Sequence, residues 1–356
     1  MKRRFQPSTK ARLMRASRVI ASAALFVLAG WFLWPAYTPQ IRDAQGQVVP
    51  NSIASLEWVT LGGVSQSILI RGWNRNNPIL LMLHGGPGMP QMYLAHQFQS
   101  ELEKSFVVVQ WDRRGAGKSY NAHVPLQSIG VEQLVSDTHQ LVELLCARFH
   151  QPKIILAAHS WGTYLGMLVV QRYPDLFYAY VGMGQMTDSE RARESRREFI
   201  RQRARQTANK EALQDVETKW PDSSEKWLFE FGGELRGAKS WWPLLRTGLG
   251  APEYTATDAL YRIPAGLRLY GHGINYSGHG ELVHEVLAVK VPVYFFLGRY
   301  DYNEPSELAA AYLQALSAPS KKLVWFDESA HFPFLEEPAK FAAEMTRVLA
   351  DIRSSK

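Results

Sequence analysis

Three residues at separated points of the chain are of the types that perform acyl transfer. Ser160 stands in "AHSWG", directly after the apolar run "KIILAA" and before "GTYLGMLVVQRY". A serine hydroxyl attacks an acyl carbon only when a base takes its proton and an acid orients that base. Asp301 ends "GRYD", and His331 lies thirty residues later in "SAHFPFLEEP". Ser, then Asp, then His is the chain order of a nucleophile carried on a sharp strand-to-helix turn. Asp327 and Glu328 share the histidine's own loop, so chain order favours Asp301 as the acid. A serine before a helix is also a common N-cap, and that reading competes for Ser160 taken alone. His159, beside the serine, would point away from it and reads as structural. Acyl transfer further needs two backbone N–H groups aimed at the developing oxyanion. One belongs to Trp161, the residue after the nucleophile. The other falls in "HGGPG", residues 84–88, with Gly86 the best placed, since the missing Cβ lets backbone approach a substrate closely.

These residues need a scaffold that brings loops from distant strands to one edge. "PILLML", "FVVVQW", "KIILAA", "FYAYVGMG" and "VPVYFFLG" are short, wholly apolar runs separated by helical segments such as "VEQLVSDTHQLVELLCARF". That rhythm predicts a parallel sheet covered on both faces. "SLEWVTLGG" and "VSQSILIRGW" predict a hairpin turning at Gly62-Gly63. Residues 186–288 break the rhythm with charged helical sequence and then Trp220, Trp227, Trp241 and Trp242 among glycines. They read as a helical cap inserted at the carboxyl ends of the strands, where open α/β sheets bind ligands. The expected organisation is 53–185 and 289–356 as the α/β core, 186–288 as the cap and 38–52 as a polar linker.

The blocks "HGGPG", "WDRRGAGKS", "AHSWG", "GRYD" and "AHFPFLEEP", in this order, resemble the α/β-hydrolase superfamily, and within it the proline iminopeptidase family most closely. The resemblance covers roughly residues 55–185 and 290–350. It implies an α/β-hydrolase fold, mostly parallel sheet flanked by helices, with an inserted helical cap. The family's D-Q-R-G-x-G-x-S loop is matched from Asp112 to Ser119 with Arg113 in place of Gln. The implied role is a turn beside the active site, its backbone held by Asp112 and Ser119. Two features depart from the family. The elbow has Ala158-His159 for Gly-Gly, and the cap has "EKWLFEFGGE" for the tryptophan-rich W-x-x-W-E segment whose glutamate holds a free α-amino group. Glu230 is then either that anchor or a solvated cap residue, and both readings stay open.

The Gly-Lys-Ser of "WDRRGAGKSY" would suggest a phosphate loop, but the position five before Gly117 is Asp112, not glycine, and no helical sequence follows. Nucleotide hydrolysis is excluded on that ground. The formal charge of +7 is an address and not a nucleic-acid face. Seven cations, from Lys2 to Arg18, lie before residue 19, and the remainder carries 33 basic and 33 acidic side chains. Residues 19–37 are free of charge, with Trp31, Trp34 and Tyr37 at the far end. They read as a transmembrane anchor, with residues 1–18 as a basic cytoplasmic segment and the catalytic domain outside the cytoplasm, periplasmic or extracellular. A cleaved signal is the competing reading, and Trp34 at its −3 position disfavours it. Cys146, the single cysteine, reads as a buried hydrophobe in a helix.

The expected function is a serine hydrolase working through an acyl-enzyme, an aminopeptidase of proline-iminopeptidase type on short peptides. The alternatives are a carboxylesterase on small esters and a membrane-anchored binding protein on a retired hydrolase fold. No cofactor, metal or nucleic-acid partner is expected; the membrane is expected to be met through the N-terminal helix.

Overall fold

Strands built from unbroken apolar residues must bury both faces, and here they do. The computed structural model describes residues 35–273 and 281–354, together with Ser22. Eight strands form one sheet: β1 Ile53–Leu61, β2 Val64–Gly72, β3 Ile79–Leu83, β4 Val107–Asp112, β5 Ile154–His159, β6 Phe177–Met183, β7 Val293–Gly298 and β8 Lys321–Phe326. Their spatial order is β1-β2-β4-β3-β5-β6-β7-β8. β2 runs antiparallel to β1 and β4, and from β4 to β8 all pairings are parallel. The β1–β2 hairpin closes at Leu61 opposite Val64, and Gly62 and Gly63 both take the positive φ that a tight two-residue turn requires.

Alternation along each strand divides the core in two. Ile79, Leu81 and Leu83 of β3, Val107 and Val109 of β4, and Ile154 and Leu156 of β5 face one layer. Leu80, Met82, Val108, Ile155 and Ala157 face the other. The first layer is covered by α1 (Val131–Phe149), α2 (Trp161–Arg172) and α8 (Ser306–Ala315), the second by α9 (Pro338–Ser354). Between β6 and β7 the chain runs through α3 (Ser189–Gln206), α4 (Lys210–Thr218), α5 (Ser224–Phe231), α6 (Trp242–Gly250) and α7 (Ile263–Gly273). α3, α4 and α5 share a small core of their own, made by Ile200, Ala204, Ala212, Val216, Trp227 and Leu228. The rest of the insertion packs onto the cores of the sheet, through Leu244 and Tyr254 on the second layer and Tyr270 on the first.

The transmembrane helix is a correction. Of residues 19–37 only Ser22 and 35–37 are described, and the rest of that expectation, with residues 1–18, lies outside the described residues. Among the described residues no helix is long and apolar enough to cross a membrane. Tyr37, expected at a membrane interface, instead donates its N–H to the carbonyl of Pro252, 2.9 Å away in the cap. Just beyond it, Arg71 Nη1 donates to Thr38 Oγ1 at 2.7 Å and to the Pro39 carbonyl at 2.6 Å. Of the three aromatic residues read as an interfacial belt, Trp31 and Trp34 lie outside the described residues, and the main chain of Tyr37 is held by the cap. The membrane partner and the extracytoplasmic placement, both inferred from that helix, have no support among the described residues.

Candidate active site

The nucleophile candidate sits where a strand is forced into a helix without a connecting loop. β5 ends at His159, α2 begins at Trp161, and Ser160 between them has φ 52° and ψ −128°, a conformation costly for a residue with a Cβ. Its N–H donates to the Met183 carbonyl at the end of β6, 2.9 Å away, which pins the turn. Ala158, one methyl larger than the usual glycine, is accommodated because it faces Gly166 of α2, which offers no side chain. The glycine loop passes close by. A Cβ added to Gly85 would stand 2.7 Å from Ser160 Cβ, so only glycine lets that backbone lie against the serine.

His331 and Asp301 meet as base and acid. Both are buried, and His331 Nδ1 donates to Asp301 Oδ2 at 2.9 Å. The other oxygen, Oδ1, accepts the N–H groups of Asn303 and Glu304 at 3.0 and 2.9 Å, which fixes the carboxylate on the loop after β7. Burial by itself lowers the pKa of His331. The charge and hydrogen bond of Asp301, joined by the charges of Glu234 and Glu304, outweigh it and raise the pKa to about 9. Its Nε2 is buried with no hydrogen-bond partner among the described residues. No hydrogen bond joins it to Ser160 Oγ, as is common in unliganded sites of this kind. Asp327 lies at the surface, paired with Arg299 and Lys340, and takes no part.

Trp161 opens α2, so its N–H has no intrahelical partner. Gly86, with φ 111°, lies two residues past His84 in the loop after β3. The loop 112–119 supports this region. Asp112 Oδ2 accepts the N–H of Lys118 at 2.8 Å, and Ser119 Oγ donates to the Asp112 carbonyl. Asp112 is also held by the cap, since the Tyr254 hydroxyl lies 2.8 and 2.7 Å from its two oxygens. Burial pushes the Asp112 carboxyl up to about 7, against those hydrogen bonds. Lys118, the lysine of the Gly-Lys-Ser triplet, is buried in an ion pair with Asp258 at 2.8 Å. Arg113 reaches under the glycine loop, donating from Nη2 to the carbonyl of Pro87 at 2.7 Å.

Of the two readings left open for Glu230, the geometry favours the solvated cap residue. α5 buries Trp227, Leu228 and Phe229, which leaves Glu230 on the exposed face, paired with Lys239 at 3.2 Å. The helix ends at Gly232 in the left-handed conformation, and the chain then turns into the site. Glu234, which sequence reasoning missed, is the cap carboxylate beside the base. Its carbonyl accepts the His331 N–H at 3.1 Å, and its Oε1 accepts from Asn303 Nδ2 at 3.2 Å. Burial raises its pKa to about 7, with the charge of His331 acting in the opposite sense. Glu336 was missed too. Its Oε2 accepts the N–H groups of Ala330 and Phe332, each at 3.0 Å on either side of His331, while Oε1 accepts Arg236 N–H of the cap at 2.8 Å. The "FGGE" and "LEEP" strings carried the only signal, an acid next to a glycine turn and an acid before a helix-opening proline. Cys146 is half-buried, and burial followed by the charge of Glu143 raises its pKa, away from nucleophilic use.

A family model of the alpha/beta hydrolase fold matches residues 78–338. The probable aminopeptidase YbaC of Bacillus subtilis (strain 168) is 32% identical over 310 residues, spanning 83% of this chain and 96% of that protein. The crystal structure of proline iminopeptidase from Mycobacterium smegmatis superposes with a TM-score of 0.64 at 18% identity, over 85% of this chain and 100% of that one. A proline iminopeptidase-related protein from Thermus thermophilus gives a TM-score of 0.59 at 20% identity, over 84% and 98%. At such identities the two structures speak for the fold alone.

Proposed function

We propose that this chain, a hydrolase that belongs to the α/β-hydrolase-fold family, is a serine aminopeptidase acting on short peptides with a free amino terminus. Ser160 Oγ attacks the scissile carbonyl carbon while its proton passes to His331 Nε2. The carbonyl oxygen takes up the electron pair and is held by the N–H groups of Gly86 and Trp161. Collapse of this intermediate breaks the C–N bond, and His331 returns the proton to the departing amine. Water then attacks the Ser160 ester, giving its proton to His331, and the carboxylic acid leaves with Ser160 restored.

One observation carries the reading: a buried imidazole, fixed through Nδ1 by Asp301, whose Nε2 is left without a partner among the described residues, on the loop beside a strained serine turn. Substrate class follows from the cap. Glu234 adds a buried carboxylate next to the base and is the group to hold a positively charged amino terminus. Trp241 stands edge-on to Phe332 with ring centroids 5.9 Å apart, an aromatic wall for an apolar side chain.

The test is a panel of aminoacyl-naphthylamides, their N-acetylated counterparts and short-chain nitrophenyl esters, alongside fluorophosphonate labelling. The aminopeptidase reading expects Ser160-dependent labelling and turnover of the free-amine naphthylamides but not of their N-acetylated counterparts. Turnover of esters alone would replace it with a carboxylesterase. A chain that neither labels nor turns over any member is not a serine hydrolase.

A further inference from the structure

Arg113 emerges from the end of β4, one strand over from β3 and two from β5, so it reaches the edge from which the glycine loop and Ser160 both depart. It is wholly buried, an unusual place for a guanidinium. Its Nη2 donates to the carbonyl of Gly85 at 3.2 Å and to that of Pro87 at 2.7 Å. These carbonyls lie on either side of Gly86. Its own N–H donates to His84 Nε2 at 3.3 Å, and His84 Nδ1 in turn lies 2.9 Å from the Gly85 carbonyl. The guanidinium carbon sits 5.0 Å from the centre of the Trp161 indole, within reach of a cation–π contact.

The planarity of the peptide turns these contacts into a constraint. The Gly85 carbonyl and the Gly86 N–H belong to one trans peptide unit, so they point in opposite directions. A donor that grips the Gly85 oxygen therefore aims the Gly86 N–H from the opposite edge of the unit, and prevents the unit from rotating. Gly85 itself lies against Ser160, so that N–H is set in the neighbourhood of the nucleophile. The same guanidinium backs the side chain of Trp161, whose N–H is the second donor. We propose that Arg113 is the positioning residue of the oxyanion site, a single buried cation that fixes the Gly85–Gly86 peptide by the Gly85 carbonyl, braces the loop by the Pro87 carbonyl and seats Trp161 by its ring. This rests on the serine-hydrolase reading above. The charge adds a favourable field for an anion forming nearby, which a neutral amide at this position would not supply.

The experiment measures kcat and KM on the naphthylamide or ester that the wild-type enzyme turns over, and the inhibition constant of phenylboronic acid. In its complex the boron is bonded to the serine oxygen and one boronate oxygen occupies the oxyanion position. Arg113→Met should lower kcat about 100-fold, the scale of a catalytic group misplaced by about 1 Å. Boronate binding should weaken in parallel while KM stays within about threefold. Arg113→Gln keeps a donor without the charge and should recover part of the loss, to about tenfold below wild type. Wild-type boronate binding in both variants, or a loss of kcat with boronate binding unchanged, would overturn the proposal. Should Arg113→Met not fold, Arg113→Gln decides alone, and wild-type values there refute it. A wild-type enzyme without Ser160 labelling would instead defeat the serine-hydrolase reading.

Discussion

His159 Nε2 lies 2.8 Å from the main-chain oxygen of His331, while its Nδ1 accepts from Gln91 Nε2 at 2.7 Å. A carbonyl only accepts, so Nε2 must carry the proton and Nδ1 the lone pair. Burial, then the charge of His331, holds the pKa of His159 well below its ordinary value and keeps this neutral tautomer. One ring thus ties the residue before the nucleophile to the loop of the base and to the chain just past the glycine loop.

Substitution at His159 should therefore affect turnover more than binding. A glutamine places an amide nitrogen near the old Nε2 and can still donate to the His331 carbonyl; an asparagine reaches only toward Nδ1. His159→Gln should keep kcat within about fivefold, and His159→Asn and His159→Phe should lower it about 10- to 100-fold, the scale of leaving a buried acceptor unpaired at about 1–3 kcal/mol. Equal losses in Gln and Asn variants would show that the ring acts by packing alone.

The backbone of Ser160 gives a stability prediction of unusual sign. With φ 52° and ψ −128° the serine is strained by about 1–3 kcal/mol, and glycine is not. Ser160→Ala and Ser160→Gly should both lose three or more powers of ten in turnover. Elsewhere in a protein glycine is less stable than alanine by roughly 0.5–1 kcal/mol. Here Ser160→Gly should melt above Ser160→Ala in calorimetry. The ordinary order would mean that the turn stores no strain.

The pKa of His331 sets the pH dependence. A histidine at its ordinary value would give an activity limb near about 6–7; with the pKa raised to about 9, the neutral base is the minority form at pH 7. Activity should climb from pH 7 until pH passes about 9, and fall as pH drops. Because the folded value lies above the unfolded one, this group contributes its full stability below about 6.5 and loses it as pH rises through about 9. Asp301→Asn removes the leading cause of the upward shift. It should move the kcat/KM limb to lower pH, cut its height, and flatten the loss of urea stability between pH 6.5 and 9. An unmoved limb would mean that another group titrates.

The parts of this molecule that follow one-dimensional rules were readable beforehand. The apolar strands and the glycine hairpin obey periodicity. The strand–serine–helix junction and the loops holding Asp301 and His331 obey chain order. What was hidden depends on which way a helix is rolled and on contacts between distant segments. The resemblance left Glu230 as either an anchor or a solvated residue; the buried face of α5 is set by Trp227, Leu228 and Phe229 packing inward, and this turns Glu230 to solvent. Arg113 reads only as a replacement for Gln in its loop until the carbonyls of Gly85 and Pro87, far back in the chain, are seen to receive it. Tyr37 belongs to an aromatic cluster that composition assigns to a membrane, yet its main-chain N–H is held by the Pro252 carbonyl of the cap.

That exchange of Glu230 for Glu234 is itself testable. If the amino terminus of a peptide is held by Glu234, neutralising that carboxylate removes a charge-assisted contact of about 1.5–3 kcal/mol, or roughly 10- to 100-fold in KM. Glu234→Gln should raise KM by that factor for aminoacyl-naphthylamides and leave a neutral ester within about threefold. Its main-chain carbonyl still receives the His331 N–H, so kcat should persist. The same change removes one of the charges that raise the pKa of His331, and the activity limb should shift slightly to lower pH. Glu230→Gln should leave both substrates unchanged, because its carboxylate faces solvent and Lys239. Equal effects on amine and ester substrates would place Glu234 in support of His331 alone, and the amino terminus would have to be held elsewhere in the cap.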